Sequence, residues 1–248
     1  MTIAGIERYV QDGATWALYN QFRFMDYQDQ RIGAGGDFNV DIPAQTITFG
    51  GPKGTIDAHF EVLASFAPGP RSMLWTWAIG HETDEGRRLR EWGQANGVTW
   101  LAERELPINT AAQGEELIAE LRQSVHDIAA ALAAITGHAP YYSAPTGHGN
   151  FILGYVYLND FPVPSIDQTF PRLLGDACAE QPGVDHRPGA QRFAQLAKFG
   201  YQWRDGRLQM HDPRTGNSVE LGFNQQGWLE NIRAQLGSQQ ANAGHSFG

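Results

Sequence analysis

The stretch SMLWTWAIGHETDEG, residues 72–86, brings two indoles, an imidazole and several carboxylates close together in the chain. Trp75 and Trp77 are two apart, which places both indoles on one face of an extended strand. They would form either an aromatic platform for a ligand or a pair of large core residues beneath a helix. The core role is expected, because tryptophan carries so much apolar surface. His81 follows, beside Glu82 and Asp84, where the strand gives way to a loop. A histidine near carboxylates has the chemistry of a general base. HETDEG nevertheless lacks the HExxH spacing that sets two zinc-binding histidines on one helix face. An acidic helix entry, favoured by the helix dipole, is the simpler account.

Tyr155 and Tyr157 repeat the two-residue spacing on another strand and would share a cavity with the tryptophans. The stretch APYYSAPTGHGNF brings Tyr141, Tyr142, Thr146, His148 and Asn150 together, and its proline and glycine content predicts a loop over such a cavity. Its glycines lack the GxxxxGK[ST] spacing of a phosphate loop. Asp57, His59 and Glu61 alternate along one strand face, a row able to hold a metal. A half-exposed sheet puts polar residues there in any case, and no metal or cofactor is expected. His126 and Asp127 are predicted on the wet side of a long helix. Cys178, the single cysteine, is expected as a buried structural thiol. There is no GxSxG elbow, dinucleotide fingerprint or EF-hand loop, so no catalytic residue is assigned.

The secondary structure expected around these residues falls into two runs. Apolar spacing predicts a helix over about 5–25, ended by RIGAGGD. FNVDIPAQTITFGG and the alternating TIDAHFEVLASF follow, then SMLWTWAI, together a four-stranded meander. In the alternating strand, Glu61, Leu63 and Ser65 are expected on the face opposite the core residues Phe60, Val62 and Ala64. A helix follows HETDEG, with Thr83 as cap and Gly97 as stop. The clearest helix spans 114–136, packed across the sheet, and a buried strand runs from Phe151 to Leu158. Beyond the Pro-punctuated FPVPSIDQTFPR come two short helices and a second meander with an Asp205-Gly206 turn. The expected fold is therefore α+β: an antiparallel meander packed against helices, then a C-terminal helix-plus-meander extension. The expected division is an α+β domain over 1–160, the extension over 161–236, either separate or continuing the first unit, and a disordered tail over 237–248.

Three stretches, EVLASFAPGPRSMLWTWAI, RRLREWGQANGVTWLAE and GHAPYYSAPTGHGNFILGYVYLND, resemble a family of bacterial proteins known only as a domain of unknown function. The resemblance spans about Phe60 to Asp160. The family's usual asparagine after W-x-W-A is replaced by Ile79 and Gly80. The resemblance implies an α+β fold and no particular activity.

Charge and composition narrow the function. The formal net charge is −9, and the one dense basic run, Arg87, Arg88 and Arg90, is flanked by Asp84, Glu85 and Glu91. Nucleic-acid binding calls for a clustered basic face, so that class is set aside. No window reaches the roughly 18 apolar residues of a membrane span, and the opening MTIAGIERYVQDG lacks the apolar core of a signal peptide. A cytoplasmic binding protein is expected, one that neutralises or regulates a protein partner in the manner of an immunity protein. The partner would be basic and toxin-like. The alternative is an enzyme or small-ligand binder with a pocket lined by Trp75, Trp77, Tyr155 and Tyr157 and with His81 or His148 at its mouth.

Overall fold

The computed structural model describes residues 3–237. The tail expected as disordered lies, but for Gly237, outside the described residues. Helix α1 (Glu7–Arg31) runs further than its apolar spacing predicts, because nothing breaks it before Ile32 and the left-handed Gly33. Then comes the expected meander: β1 (Asp37–Asp41), β2 (Thr46–Gly51), β3 (Gly54–Ala67) and β4 (Ser72–Trp75), each antiparallel to the one before. Helices α2 (Asp84–Asn96) and α3 (Thr99–Ala102) follow, and β5 (Glu105–Pro107) joins the free edge of β4. Thr83 caps α2 by accepting the Gly86 N–H at 3.1 Å, and Gly97 ends it with φ 67°, both as predicted.

Helix α4 (Gly114–Thr136) crosses α1 closely. A Cβ on Gly13 would lie 1.9 Å from the Ala130 carbonyl oxygen, so only glycine lets the two helices approach this far. The hairpin of β6 (Tyr141–Gly147) and β7 (Asn150–Tyr157) then pairs with the opposite side of β3. The stretch predicted as a loop over 139–150 is thus mostly strand. Pairing with β7 supplies its backbone partners, and Pro145 is tolerated because β6 is an edge strand.

Two further expectations are corrected. The strand SMLWTWAI stops at Trp75. The Thr76 hydroxyl donates back to the Val62 and Leu63 carbonyls, and residues Thr76–Ile79 form a 3-10 turn closed by Gly80 at φ 83°. Glu61 and Leu63, placed by alternation on the solvent face, are buried. The alternation holds as far as Phe60 and fails from Glu61 onward, through a bulge between Val62 and Ala64, where the strand is flanked by β4 and β7 and covered by helices.

The sheet curls. Phe38 on β1 and Tyr142 on β6 come from opposite edges, yet their rings are 5.2 Å apart, with Phe49 against the same tyrosine at 5.0 Å. This concave side holds one apolar cluster with Phe24, Ile47, Phe60 and Ile152; the other side joins the larger core under α1 and α4.

Helices α5 (Phe170–Ala179) and α6 (His186–Leu196) pack on α1 through Trp16, Tyr19, Phe170 and Phe193, the Tyr19–Phe193 rings lying 4.8 Å apart. The second meander, β8 (Gly200–Arg204), β9 (Arg207–His211), β10 (Ser218–Phe223) and β11 (Leu229–Gln235), forms a sheet of its own and does not join the first. Asp205 and Gly206 both take positive φ at its first turn, the backbone that suits a two-residue hairpin. Leu208, Met210, Val219 and Leu221 face the helices and complete a core continuous with that of α1. The fold is α+β. No helix among the described residues is long and apolar enough to cross a membrane.

Candidate binding cleft and polar cluster

The histidines and aromatics singled out from the sequence do not assemble around one pocket. Trp75 is buried, donates its indole N–H to the Trp100 carbonyl at 3.1 Å and stacks on that ring. Trp77, on the 3-10 turn rather than on the strand face of Trp75, lies half-buried with the Arg90 guanidinium 5.1 Å from its ring centre. His81 follows that turn and is exposed to water. His148 is exposed at the β6–β7 turn with φ 53°. Tyr142 fills the concave side of the curled sheet. Tyr141 is buried, and its hydroxyl lies 2.6 Å from Nδ1 of His126, which is therefore half-buried rather than on the wet side of α4. Burial pushes the His126 imidazole below its ordinary value and the Tyr141 phenol above its own.

Tyr155 and Tyr157 do belong to a shared arrangement, with partners the sequence reading passed over. Glu61 on β3 points toward the first turn of α2, where its Oε1 accepts the Glu85 N–H at 2.8 Å and its Oε2 accepts from the Tyr157 hydroxyl at 3.2 Å. Glu85, also buried, accepts from Arg88 at 3.2 Å. The open N–H groups and positive end of the α2 dipole favour both carboxylates. His138 closes the cluster: its ring lies 5.3 and 5.4 Å from those of Tyr155 and Tyr157, and its Nε2 is 3.9 Å from Glu85 Oε1, beyond hydrogen-bond reach. Tyr155 shares a 3.0 Å hydrogen bond with Thr136. Burial, reinforced by the two carboxylates, pushes both phenols well above the usual tyrosine range, so they remain protonated. The cluster fastens β3, β7, α2 and the end of α4 to one another.

The Asp57–His59–Glu61 row is divided by the same geometry. Asp57 and His59 stay on the exposed face, with Asp57 accepting from Thr48, while Glu61 turns under α2. Among the described residues no three His, Cys, Asp or Glu side chains are grouped to hold a metal ion. Cys178 is buried, and burial pushes its thiol up to about 12, which keeps it protonated and inert.

A large open cleft, about 900 Å³, lies between α1, α2, the end of α4, α6 and β8. Tyr9 stands edge-on to Trp92 at 6.3 Å, and the Arg8 guanidinium covers the Tyr9 ring at 5.4 Å. Across from them Trp203 is 38% exposed, its indole N–H fixed on Gln191 at 2.7 Å. Arg187 is clamped by Asp185, the N-cap of α6, and Arg192 donates to the Ala134 carbonyl near the end of α4. Rigid aromatic and arginine side chains are thus presented to solvent with their geometry already set. No sequence motif marks this cleft. Its residues come from four segments far apart in the chain, and the only hint was tryptophan at otherwise polar positions, as in REWGQ and YQWRD.

A family model described as a family of unknown function, DUF6882, matches residues 7–161. The chain belongs to that family. Comparison with curated proteins and with solved structures gives no match. The DUF6882 match covers α1 through β7 and contains the whole Glu61–Glu85–His138 cluster, so the cluster belongs to the family portion. It begins well before Phe60, where the aromatic motifs first pointed to it. The large cleft draws one wall from the DUF6882 portion and the other from the C-terminal helices and sheet.

Proposed function

We propose that this DUF6882 protein works by binding rather than by catalysis, holding a segment of a protein partner and so regulating or neutralising it, in the manner of an immunity protein. The observation that carries this reading is the open 900 Å³ cleft lined by Tyr9, Trp92, Trp203, Arg8 and Arg187. Tryptophan, tyrosine and arginine dominate the energetics of protein interfaces, because they bury much area at little entropic cost and still hydrogen-bond. The net charge of −9 would steer a basic partner toward the chain at long range, with the cleft supplying the short-range grip. The reading places the protein in the cytoplasm. Its test is affinity capture with the full chain and with a Trp92→Ala/Trp203→Ala variant. A partner retained by the native chain and lost from the variant supports the reading. A partner retained equally by both removes the cleft from it.

A second reading, a small-ligand binder or enzyme working at His138, rests on the half-exposed imidazole beside the buried Glu85 and the two phenols. Its test is a small-fragment screen followed by the NMR signal of the His138 ring. A fragment that moves this signal supports it, and a silent screen counts against it.

A further inference from the structure

A second groove opens at the same seam, on another side of α1. After β7 the connector LNDFPVP, residues 158–164, turns back across α1 and leaves a cleft of about 570 Å³ between α1, the α4–β6 connection and the end of α6. Its walls are apolar, formed by Trp16, Tyr157, Phe161 and Leu196 among others. Val163, 66% exposed, stands among its lining residues. Three cations line the groove as well, Arg23, Lys198 and Arg214, and among the described residues no carboxylate does. In a chain of net charge −9 this is a local reversal of sign.

The cations are held, and two of them form no ion pair among the described residues. Arg23 donates to Asn20 Oδ1 at 2.9 Å and to the Pro162 carbonyl, with its guanidinium 4.8 Å from the Phe161 ring centre. These partners are neutral, and among the described residues no carboxylate forms an ion pair with it. Arg214 donates to Asp212 at 2.8 Å and to the Pro164 carbonyl, so the two guanidinia grip the same connector two residues apart. Lys198 is exposed just past α6, in the left-handed conformation at φ 58°, and forms no ion pair among the described residues. Burial, with the like charge of Arg214 adding to it, pushes the Arg23 guanidinium below its ordinary value, against the opposing influence of Tyr19 and Asp167. Cations that converge on an open apolar groove are relieved by an anion.

We propose that this groove binds a small amphipathic carboxylate, its headgroup among Arg23, Arg214 and Lys198 and its aromatic or aliphatic body against Trp16, Phe161 and Leu196. The planar fork of a guanidinium matches a carboxylate, and the aromatic walls strip water from the ion pair, which strengthens it. The volume falls within the range of small-ligand sites, and such sites concentrate where two structural units meet. Here the DUF6882 portion meets the C-terminal extension.

The test is isothermal titration of the full chain with 2-naphthoate and with decanoate, against 2-naphthamide as the uncharged isostere and inorganic phosphate as the bare anion. Two variants accompany it. Arg23→Gln removes the half-buried cation. Lys198→Asn removes an exposed cation while keeping a residue that tolerates left-handed backbone, so folding is not at stake. At least one carboxylate should bind, with the amide and Arg23→Gln each weaker by about tenfold or more and Lys198→Asn weaker by about threefold, the range for losing a charge-assisted hydrogen bond or a more exposed charge. The proposal is overturned if neither carboxylate binds at millimolar concentration, or if the amide binds equally well. Affinity unchanged in Lys198→Asn together with Arg23→Gln overturns it too, as does phosphate binding as tightly as the carboxylates.

Discussion

The two sheets of this protein are built from the same device, an antiparallel meander, and are buried in different ways. The first curls until its opposite edges meet through Phe38 and Tyr142, and along β7 and the second half of β3 both of its faces are covered. The second presents Leu208, Met210, Val219 and Leu221 to helices and keeps the other face in water, with all of β8 exposed. Their sequences record the difference. NFILGYVY in β7 is almost continuously apolar, as a strand buried on both faces must be, whereas RLQMH in β9 alternates. The family match ends between the two regions, and both clefts described above draw residues from each. The first sheet is packed on both faces at its centre, the second leaves one face accessible, and the two clefts lie where the regions meet.

Substitutions put this contrast to the test. The largest effect is expected at Phe193, fully buried and in ring contact with Trp16, Tyr19, Phe170 and Phe199 where the regions join. Phe193→Ala should cost about 3–5 kcal/mol in urea unfolding. Because one core runs through both regions, the native chain should unfold in a single transition. Two separate transitions in the native chain would show that the regions are energetically independent.

A smaller effect tests the claim of two covered faces. A Cβ on Gly154 in β7 would meet the Phe60 ring at 2.5 Å and the Glu61 carbonyl at 2.8 Å. Gly154→Ala should therefore cost about 1–3 kcal/mol through overpacking. At Gly222 in the second sheet the nearest contact would be Asn231 at 3.4 Å, and Gly222→Ala should stay within about 0.5 kcal/mol of the native chain, as at an open surface. Equal losses at the two positions would erase the distinction.

The smallest effect is a pH dependence confined to the first region. Burial lowers the folded pKa of His126 below its unfolded value of 6.5. The stability it contributes is present above that value and is lost as pH falls toward the folded pKa, because the unfolded chain then binds the extra proton. Thermal melts between pH 7.5 and 5.5 should accordingly fall more steeply for the native chain than for His126→Gln. Parallel melting curves would place the imidazole in water, as the sequence alone suggested.

Much of the fold was legible in local chemistry. The Thr83 cap and Gly97 stop of α2, the repeat of Leu117, Leu121, Val125 and Ile128 along α4, and the Asp205-Gly206 turn are all set by neighbouring residues, and each lies where the pattern predicted. The candidate clefts were not legible, because no local pattern links Tyr9 to Trp203 or Arg23 to Lys198. The pairing of Trp75 with Trp77 misled because period two describes a strand only while the strand lasts, and the Thr76 hydroxyl ends it by bonding the Val62 and Leu63 carbonyls. Glu61 was read as solvent-facing because alternation cannot register that a helix N-terminus covers that face.

Local patterns in the sequence were enough for the α+β class, the order of helices and meanders, the buried thiol of Cys178 and membership of a family of unknown function. These follow from periodicity, capping and turn preference, which act over a few residues. The tertiary structure decided what lies beside what: the curl of the first sheet, the Glu61–Glu85–His138 cluster, and two clefts along the seam with the C-terminal extension. Those depend on contacts between segments tens to hundreds of residues apart. Their geometry is fixed by close packing of the whole core, which no local spacing encodes.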